Sequence, residues 1–146
     1  MSDRPGPYRV LFLCTGNSAR SVFAEYFLRR LGRGRFEVHS AGANPSGPVN
    51  PLTLKVLREH FRIDASEARS KSWEEFKGTS FDFVITVCDN ARESCPIFPG
   101  DPERIHWSIP DPSAVEGDEE TRQAAFKRAA DELMARIRSL FTDLSK

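Results

Sequence analysis

The sequence has no hydrophobic run long enough to cross a bilayer and no excess of either charge. Its 146 residues include 21 Lys and Arg against 21 Asp and Glu, so the formal net charge is zero. A spanning helix needs about 20 predominantly apolar residues, and a surface for nucleic acid or anionic lipid needs an excess of basic ones. We therefore expect neither a membrane protein nor a nucleic-acid-binding protein.

Cysteine is also scarce, and the three residues present are an odd number. An odd count argues against a framework of disulfides and for reactive thiols. The polar residues 1–7 contain no apolar signal-peptide core, so we expect a cytoplasmic protein whose thiols stay reduced. The length predicts a single catalytic domain over residues 8–146, preceded by a flexible tail over residues 1–7.

Hydrophobic patterns typical of strands alternate with helical patterns along the chain. Strands are predicted over 8–14, 36–41, 81–87 and 104–107, and helices over 18–31, 50–60, 72–76 and 118–144. A long loop rich in proline, aspartate and glycine is predicted over 89–102. This alternation predicts an α/β fold with a four-stranded parallel sheet and helices on both faces. Ligands of such sheets bind beyond the carboxyl ends of the strands.

The most informative motif follows the first predicted strand and reads Cys14-Thr15-Gly16-Asn17-Ser18-Ala19-Arg20-Ser21. A loop between a strand and a helix directs backbone N–H groups and the positive helix end at one point, which suits a tetrahedral oxyanion. We expect Cys14 to be a thiolate there and Arg20 to bind two oxygens of the anion. A core thiol beside a surface arginine is the alternative. The order of strand, loop and helix favours nucleophilic attack by Cys14 on a bound oxyanion.

Cys88 and Cys95 follow the third predicted strand and are seven residues apart. This spacing is too wide for a C-x2-C metal site, and the three histidines show no metal-binding spacing. A pair of redox-active thiols is favoured over a core thiol with an incidental surface cysteine. No metal is predicted.

Asp111 lies between Pro110 and Pro112, after the fourth predicted strand. The flanking prolines restrict the backbone, so the carboxylate has a fixed position at the same edge of the sheet as Cys14. Such an acid can protonate a departing oxygen. A plain turn aspartate is the alternative, because Pro and Asp are common turn residues. We predict that Asp111 is the general acid.

Together these motifs resemble those of the thioredoxin-coupled arsenate reductases, which share the fold of the low-molecular-weight protein tyrosine phosphatases. The resemblance extends from Tyr8 onward and rests on Cys14 to Ser21, on Val87-Cys88 to Cys95-Pro96, and on His106-Trp107 with Asp111-Pro112. It implies reduction of arsenate to arsenite, with phosphate or sulfate as competing anions. A thioredoxin or similar dithiol would be the reductant, and no cofactor would be needed.

The resemblance also implies a role for each site residue. Cys14 would be the nucleophile, Cys88 the second redox cysteine and Cys95 the third, while Asp111 would be the acid. Ser21 would hydrogen-bond the Cys14 thiolate. The oxyanion would bind to the loop formed by Thr15, Gly16, Asn17, Ser18, Ala19, Arg20 and Ser21.

Two positions depart from the phosphatases of this fold. Val22 replaces the proline that usually follows the Arg-Ser pair, and Ser113 replaces the tyrosine that usually follows Asp-Pro. The aromatic wall for a phosphotyrosine is therefore expected to be absent. A phosphomonoesterase is the alternative function, because phosphate and arsenate are nearly isosteric, but hydrolysis would not need Cys88 and Cys95. A non-catalytic oxyanion or arsenite sensor is a third possibility, in which Asp111 would be idle.

Some arsenate reductases bind potassium beside the loop, and Asn17, Glu25 and Ser40 match three of those ligands. The acidic fourth ligand has no match, since the corresponding stretch reads Ala68-Arg69-Ser70-Lys71. A side-chain cation there is expected to replace the ion. No exposed apolar stripe is evident in the sequence, so a monomer is predicted.

Overall fold

The protein is described by a computed structural model that covers residues 6–45 and 47–144. Most of the predicted tail, residues 1–7, lies outside the described residues. No helix within the described ranges is both long enough and apolar enough to span a membrane.

Four strands form one parallel sheet. They are β1 (Tyr8–Cys14), β2 (Phe36–Gly42), β3 (Phe83–Thr86) and β4 (Glu103–His106), arranged in the order β2-β1-β3-β4. Every pair of neighbours is parallel, and Cys14 at the end of β1 lies opposite Gly42 at the end of β2. The predicted four-stranded parallel sheet is confirmed.

Helices connect successive strands, and the connections lead toward both edges of the sheet. They are α1 (Arg20–Leu31), α2 (Pro51–Phe61), α3 (Asp89–Ser94) and α4 (Glu119–Leu144), with short 3-10 helices at Trp73–Phe76 and Pro112–Ala114. The chain steps from β1 to β2 through α1 and, in the opposite direction, from β3 to β4 through α3. Because such crossovers are right-handed, α1 and α3 lie on opposite faces, as predicted. The reversal between β1 and β3 is where a ligand of this topology binds.

The apolar core holds the end of β1 in place. Residues Val10 to Leu13 are fully buried, as expected for a central strand covered on both faces. Phe126, Ala130, Leu133 and Ile137 are the fully buried part of the predicted core face of α4, whereas Leu140 and Leu144 are only half-buried. The position of Cys14 is therefore set by the best-packed part of the molecule.

Two predictions need correction, and the bounds of the other elements differ from the predicted ones by no more than two residues. The predicted loop over 89–102 begins instead with helix α3, because the Cys88 side chain accepts a hydrogen bond from the Ala91 N–H and caps the first turn. The Pro- and Gly-rich part of the stretch comes only after Cys95. The third strand is shorter than the predicted 81–87: Phe81 is buried in the core but lies before the ladder, packed edge-on against Phe98.

Candidate active site

Cys14 is at the carboxyl end of β1, in the space between the sheet and the start of α1. Only 2% of its surface is exposed. Its Sγ lies 2.9 Å from Ser21 Oγ and accepts a hydrogen bond of 3.2 Å from the Asn17 backbone N–H. The contact predicted between Ser21 and Cys14 is therefore present. Hydrogen bonds of this kind stabilise a thiolate more than a thiol.

The anion loop, residues 14–20, has most of its carbonyl groups bound from outside. The carbonyls of Cys14 and Thr15 accept from the backbone N–H groups of Ala43 and Asn44, at 3.1 and 2.8 Å. That of Gly16 accepts from Ser70 Oγ at 2.7 Å, and that of Ser18 from Asn50 N and Thr53 Oγ1. In a trans peptide the following N–H points the opposite way. The N–H groups of residues 15, 16, 17 and 19 are therefore directed into the loop.

Two local features allow the loop to close this tightly. Asn17 adopts a positive φ of 51°, a conformation that asparagine tolerates better than most residues. Gly42 passes directly behind the loop, and a Cβ at this position would lie 2.5 Å from the Thr15 carbonyl oxygen. Any larger residue at position 42 would push the loop outward.

Arg20 is the first residue of α1, and no side chain caps the N-terminus of this helix. Its Nη1 donates to the Ile109 carbonyl at 3.0 Å, and its Nη2 lies 3.7 Å from Asp111 Oδ2. The other Asp111 oxygen accepts from Ser113 N and Ser113 Oγ at 2.9 and 2.7 Å. The structure thus brings the predicted anion-binding arginine and the predicted acid together, with the carboxylate fixed on one side.

Between these groups lies a cavity of about 280 Å³. Its floor is Cys14, so an anion inside it would contact the thiol, the loop and the acid together. The lining residues are Cys14, Thr15, Gly16, Ser18, Ala19, Arg20, Asn44, Asp111 and Ser113. Asn44 had not been predicted as a site residue. None of these lining residues is aromatic.

The three side chains that match potassium ligands of some arsenate reductases form a network of their own behind the loop. Asn17 Nδ2 donates to Ser40 Oγ at 3.0 Å, and Ser40 Oγ donates to Glu25. Glu25 is also paired with Arg29, which lies one turn along α1. The Asn17 oxygen accepts from the backbone N–H of Lys71 at 2.9 Å.

These contacts do not fit a potassium ion. All three side-chain oxygens that would coordinate it already take part in hydrogen bonds, and the charge of Glu25 is balanced by Arg29. Lys71 is a second cation near the cluster: burial lowers the pKa of its amine, and the field of Glu25 partly opposes that shift. Within residues 6–45 and 47–144, no group of three His, Cys, Asp or Glu side chains could hold a metal.

Cys88 lies directly beside the anion loop. It is 5% exposed, and its Sγ is 3.3 Å from Thr15 Oγ1, the hydroxyl of the residue that follows Cys14. Cys88 also caps α3, whereas Cys95 follows the last residue of that helix. All three cysteines are free thiols in this structure, and Cys95 is the most exposed of them. Thr15 and Asn17 therefore link the two buried thiols to one loop.

The two-cysteine segment, residues 88–98, is attached to β4 by two side chains that had not been predicted as site residues. His106 lies between Thr86 Oγ1, at 2.7 Å, and Asp89 Oδ1, at 2.8 Å. Its hydrogen bond holds the pKa of Asp89 below the usual value, with a further contribution from Ser108. Arg104 contacts Cys95 and Pro96 at the other end of α3.

A model of the low molecular weight phosphotyrosine protein phosphatases matches residues 9–146. The chain belongs to this family. The chain is 38% identical to the arsenate reductase of Halalkalibacterium halodurans over 130 residues, which are 89% of this chain and 92% of the relative. The resemblance stated from the sequence motifs is therefore confirmed.

Solved structures of this phosphatase fold family include enzymes of both kinds. A thioredoxin-dependent arsenate reductase of Corynebacterium glutamicum has a TM-score of 0.72 and 27% identity, over 99% of this chain and 66% of that one. A low molecular weight protein tyrosine phosphatase of T. tengcongensis has a TM-score of 0.75 and 26% identity, over 93% of this chain and 99% of that one. The fold alone therefore does not choose between reduction and hydrolysis.

Proposed function

We propose that this protein reduces arsenate to arsenite, with Cys14, Cys88 and Cys95 used in that order. The observation that carries the proposal is the position of Cys88, a buried thiol 3.3 Å from Thr15 of the anion loop. A second thiol beside the nucleophile has no part in phosphoester hydrolysis but is needed to remove an oxyanion by reduction. Relatives that are 35–40% identical over most of the chain are named arsenate reductases.

In the first step arsenate binds the N–H groups of the anion loop and the Arg20 guanidinium. The Cys14 thiolate attacks arsenic in line, which forms a sulfur–arsenic bond. Asp111, which borders the same cavity, donates a proton to the departing oxygen, and the oxygen leaves as water. Arg20 has only 12% of its side chain exposed, so its charge acts on the anion with little screening by water.

In the second step the Cys88 thiolate attacks the Cys14 sulfur. A disulfide forms between the two cysteines, and the sulfur–arsenic bond breaks with its electron pair going to arsenic. Arsenic is thereby reduced from As(V) to As(III) and leaves as arsenite, while two thiols are oxidised. The hydroxyl of Thr15 is placed to hold the Cys88 sulfur at the anion loop.

In the third step Cys95 attacks Cys88 and the Cys14 thiolate leaves, which moves the disulfide to Cys88 and Cys95. The six residues of α3 lie between these cysteines, and seven steps at the helical rise amount to about 10 Å along the axis, whereas a disulfide needs Cα atoms within about 7 Å. Helix α3 must therefore unwind. A thioredoxin-like dithiol then reduces the more exposed disulfide and restores the enzyme.

The second candidate function is a phosphomonoesterase. It is favoured by the shared fold of the T. tengcongensis phosphatase and by a cavity that would accept phosphate as readily as arsenate. Hydrolysis would proceed through a phosphorylated Cys14, with Asp111 as the acid, and would leave Cys88 and Cys95 unchanged.

The deciding experiment is arsenate-dependent oxidation of NADPH in the presence of thioredoxin and thioredoxin reductase, beside hydrolysis of p-nitrophenyl phosphate. We expect turnover with arsenate, which Cys88→Ser abolishes. Cys95→Ser should release one arsenite per enzyme and stop as the Cys14–Cys88 disulfide, detectable by mass spectrometry of alkylated protein. Phosphatase activity that is unaffected in both variants, without arsenate turnover in the wild type, would overturn the proposal in favour of the second candidate.

The predicted monomer and the cytoplasmic location remain predictions. Light scattering of the purified protein and fractionation of the producing cells would test them separately from the chemistry.

A further inference from the structure

Arg104 is an exposed residue of β4 whose guanidinium contacts the chain directly after the C-terminal end of α3. Its Nη1 donates to Cys95 Sγ at 3.2 Å, and its Nη2 donates to the Pro96 carbonyl at 3.1 Å. The second hydrogen bond fixes the plane of the guanidinium, so that the first is aimed at the sulfur. Neither the anion loop nor the acid uses this arginine.

We propose that Arg104 activates Cys95 as the attacking thiolate of the third step. The inference rests on the proposed function, because it concerns the transfer of a disulfide that arsenate reduction creates. In that transfer the Cys95 thiolate attacks the Cys88 sulfur of the Cys14–Cys88 disulfide. A Cys88–Cys95 bond forms, the Cys14–Cys88 bond breaks, and its electron pair leaves on Cys14. No oxidant or reductant is consumed in this step.

The electrostatic reason is the same as for other reactive cysteines. A guanidinium beside a sulfur favours the thiolate over the thiol. The thiolate is the attacking species in thiol–disulfide exchange, so this contact favours attack on the Cys88 sulfur. The other charged residues near Cys95 in the sequence are Arg92 and Glu93 of α3. Glu103 is the neighbour of Arg104 on β4. The Cys95 sulfur itself contacts Arg104 and the Pro96 carbonyl.

The contact is also compatible with the movement that the third step needs. Arg104 is on the sheet, whereas Cys95 directly follows the helix that must unwind. The thiolate can therefore leave the guanidinium while the arginine stays in place. Cys95 is partly exposed and Cys88 is 5% exposed. The arginine therefore keeps the third thiol reactive on the surface until a Cys14–Cys88 disulfide is there to attack.

Two substitutions separate the charge of Arg104 from its structural contact. Arg104→Gln keeps a donor for the Pro96 carbonyl but removes the charge, and Arg104→Lys keeps the charge. Arg92→Gln is the matched control, because it removes an exposed arginine from α3 itself. Circular dichroism of each variant establishes that the fold is retained.

The first measurement needs no arsenate: reduced protein is alkylated with limiting iodoacetamide at pH 7, and modification of the Cys95 peptide is followed by mass spectrometry. We expect Arg104→Gln to slow this reaction about three- to fivefold, as befits an exposed charge pair. Arg104→Lys and Arg92→Gln should react at nearly the wild-type rate. Equal rates in the wild type and Arg104→Gln would overturn the inference, as would equal slowing in the Gln and Lys variants.

The second measurement is a single turnover with arsenate and without thioredoxin, quenched at intervals. In Arg104→Gln the release of arsenite should keep its wild-type rate, while the Cys14–Cys88 disulfide persists about three- to fivefold longer before Cys88–Cys95 appears. An unchanged lifetime of the first disulfide would overturn the inference and leave the proposed function intact. Absence of arsenite in the wild type would instead overturn the proposed function, and the alkylation result would still decide the effect of Arg104 on Cys95.

Discussion

The anion loop and the two-cysteine segment both carry thiols at the same edge of the sheet, but they are held very differently. The backbone carbonyls of the anion loop accept hydrogen bonds from three other parts of the chain. The donors lie just after β2, at the start of α2, and just before the Trp73–Phe76 helix. The two-cysteine segment contains the six-residue helix α3 and is attached to β4 through the side chains of His106 and Arg104.

This difference corresponds to two chemical tasks. Binding a tetrahedral anion requires N–H groups that are already oriented before the anion arrives, so movement in the loop would reduce affinity. The proposed passage of a disulfide along three cysteines requires one of them to move. A helix of six residues is too short to be stable without its neighbours, so side-chain contacts can hold it and then release it.

Removing the Cys14 thiol should abolish arsenate reduction without affecting anion binding by the loop. We expect Cys14→Ser to lose arsenate reduction completely, because no other residue replaces the attacking sulfur. Arsenate and phosphate should still bind, since the loop N–H groups and Arg20 are unchanged. Turnover and calorimetric titration with phosphate are the two measurements, and appreciable reduction of arsenate by this variant would contradict the assignment of Cys14.

Removing the acid should slow the first step while anion binding persists. Loss of a general acid typically costs about 10²–10⁴-fold in rate, so Asp111→Asn should form the Cys14–arsenic adduct that much more slowly. Asparagine can still accept the hydrogen bonds of Ser113, which makes it a conservative change. Rapid-quench kinetics would measure the rate, and an adduct formed at the wild-type rate would place the acid elsewhere.

Asn17 is the position at which the rigidity of the anion loop can be tested. Its buried side chain donates to Ser21 Oγ at 2.8 Å, donates to Ser40 and accepts from Lys71. Asn17→Ala loses these bonds and strains the positive φ, so the free energy of unfolding should fall by about 2–4 kcal/mol. Phosphate affinity should fall with it.

Asn17→Gly is the matched control for that experiment, because glycine loses the same hydrogen bonds but adopts the positive φ without strain. Urea denaturation of both variants separates the contribution of the hydrogen bonds from that of the backbone strain. Wild-type stability in Asn17→Ala would contradict the description of the loop as held by this side chain.

Ile97 should affect only the encounter with the reductant. It is a large hydrophobic side chain that is 90% exposed, two residues after Cys95 and next to the buried Phe98. Burial of part of this side chain against a thioredoxin-like protein predicts that Ile97→Ser raises the KM for thioredoxin about three- to tenfold. Single-turnover release of arsenite, without thioredoxin, should be unchanged. A KM equal to that of the wild type would show that the reductant docks elsewhere.

The smallest expected effect is that of potassium. Since Arg29 and Lys71 already provide positive charge at the Glu25 cluster, replacing sodium chloride with potassium chloride at constant ionic strength should leave kcat and KM unchanged. Thermal unfolding in the two salts gives an independent measurement. A rise in activity or unfolding temperature that is specific to potassium would mean that the cluster opens to admit an ion.

Much of this organisation could be predicted from the sequence, because the strong signals are local. The buried run before Cys14 and the turn residues after it predicted the strand, the loop and the helix. Helix α3 was missed because its six residues are too few for a helical pattern to stand out before the Pro- and Gly-rich stretch. Arg104 and His106 were missed because their partners are on another element. The pairing of β4 with β3, the strand that leads into α3, brings them together.

Helix α3 and a Cys88–Cys95 disulfide are mutually exclusive conformations of one stretch of chain, and this links helix stability to the reduction potential. Whatever free energy is needed to unwind α3 is added to the cost of oxidising the pair, which raises its midpoint potential by about 30 mV for each 1.4 kcal/mol. A substitution that strengthens the helix would thus make the oxidised protein easier for a dithiol to reduce. The electrochemistry of the enzyme is in this sense set by hydrogen bonds of the main chain, far from any sulfur–arsenic bond.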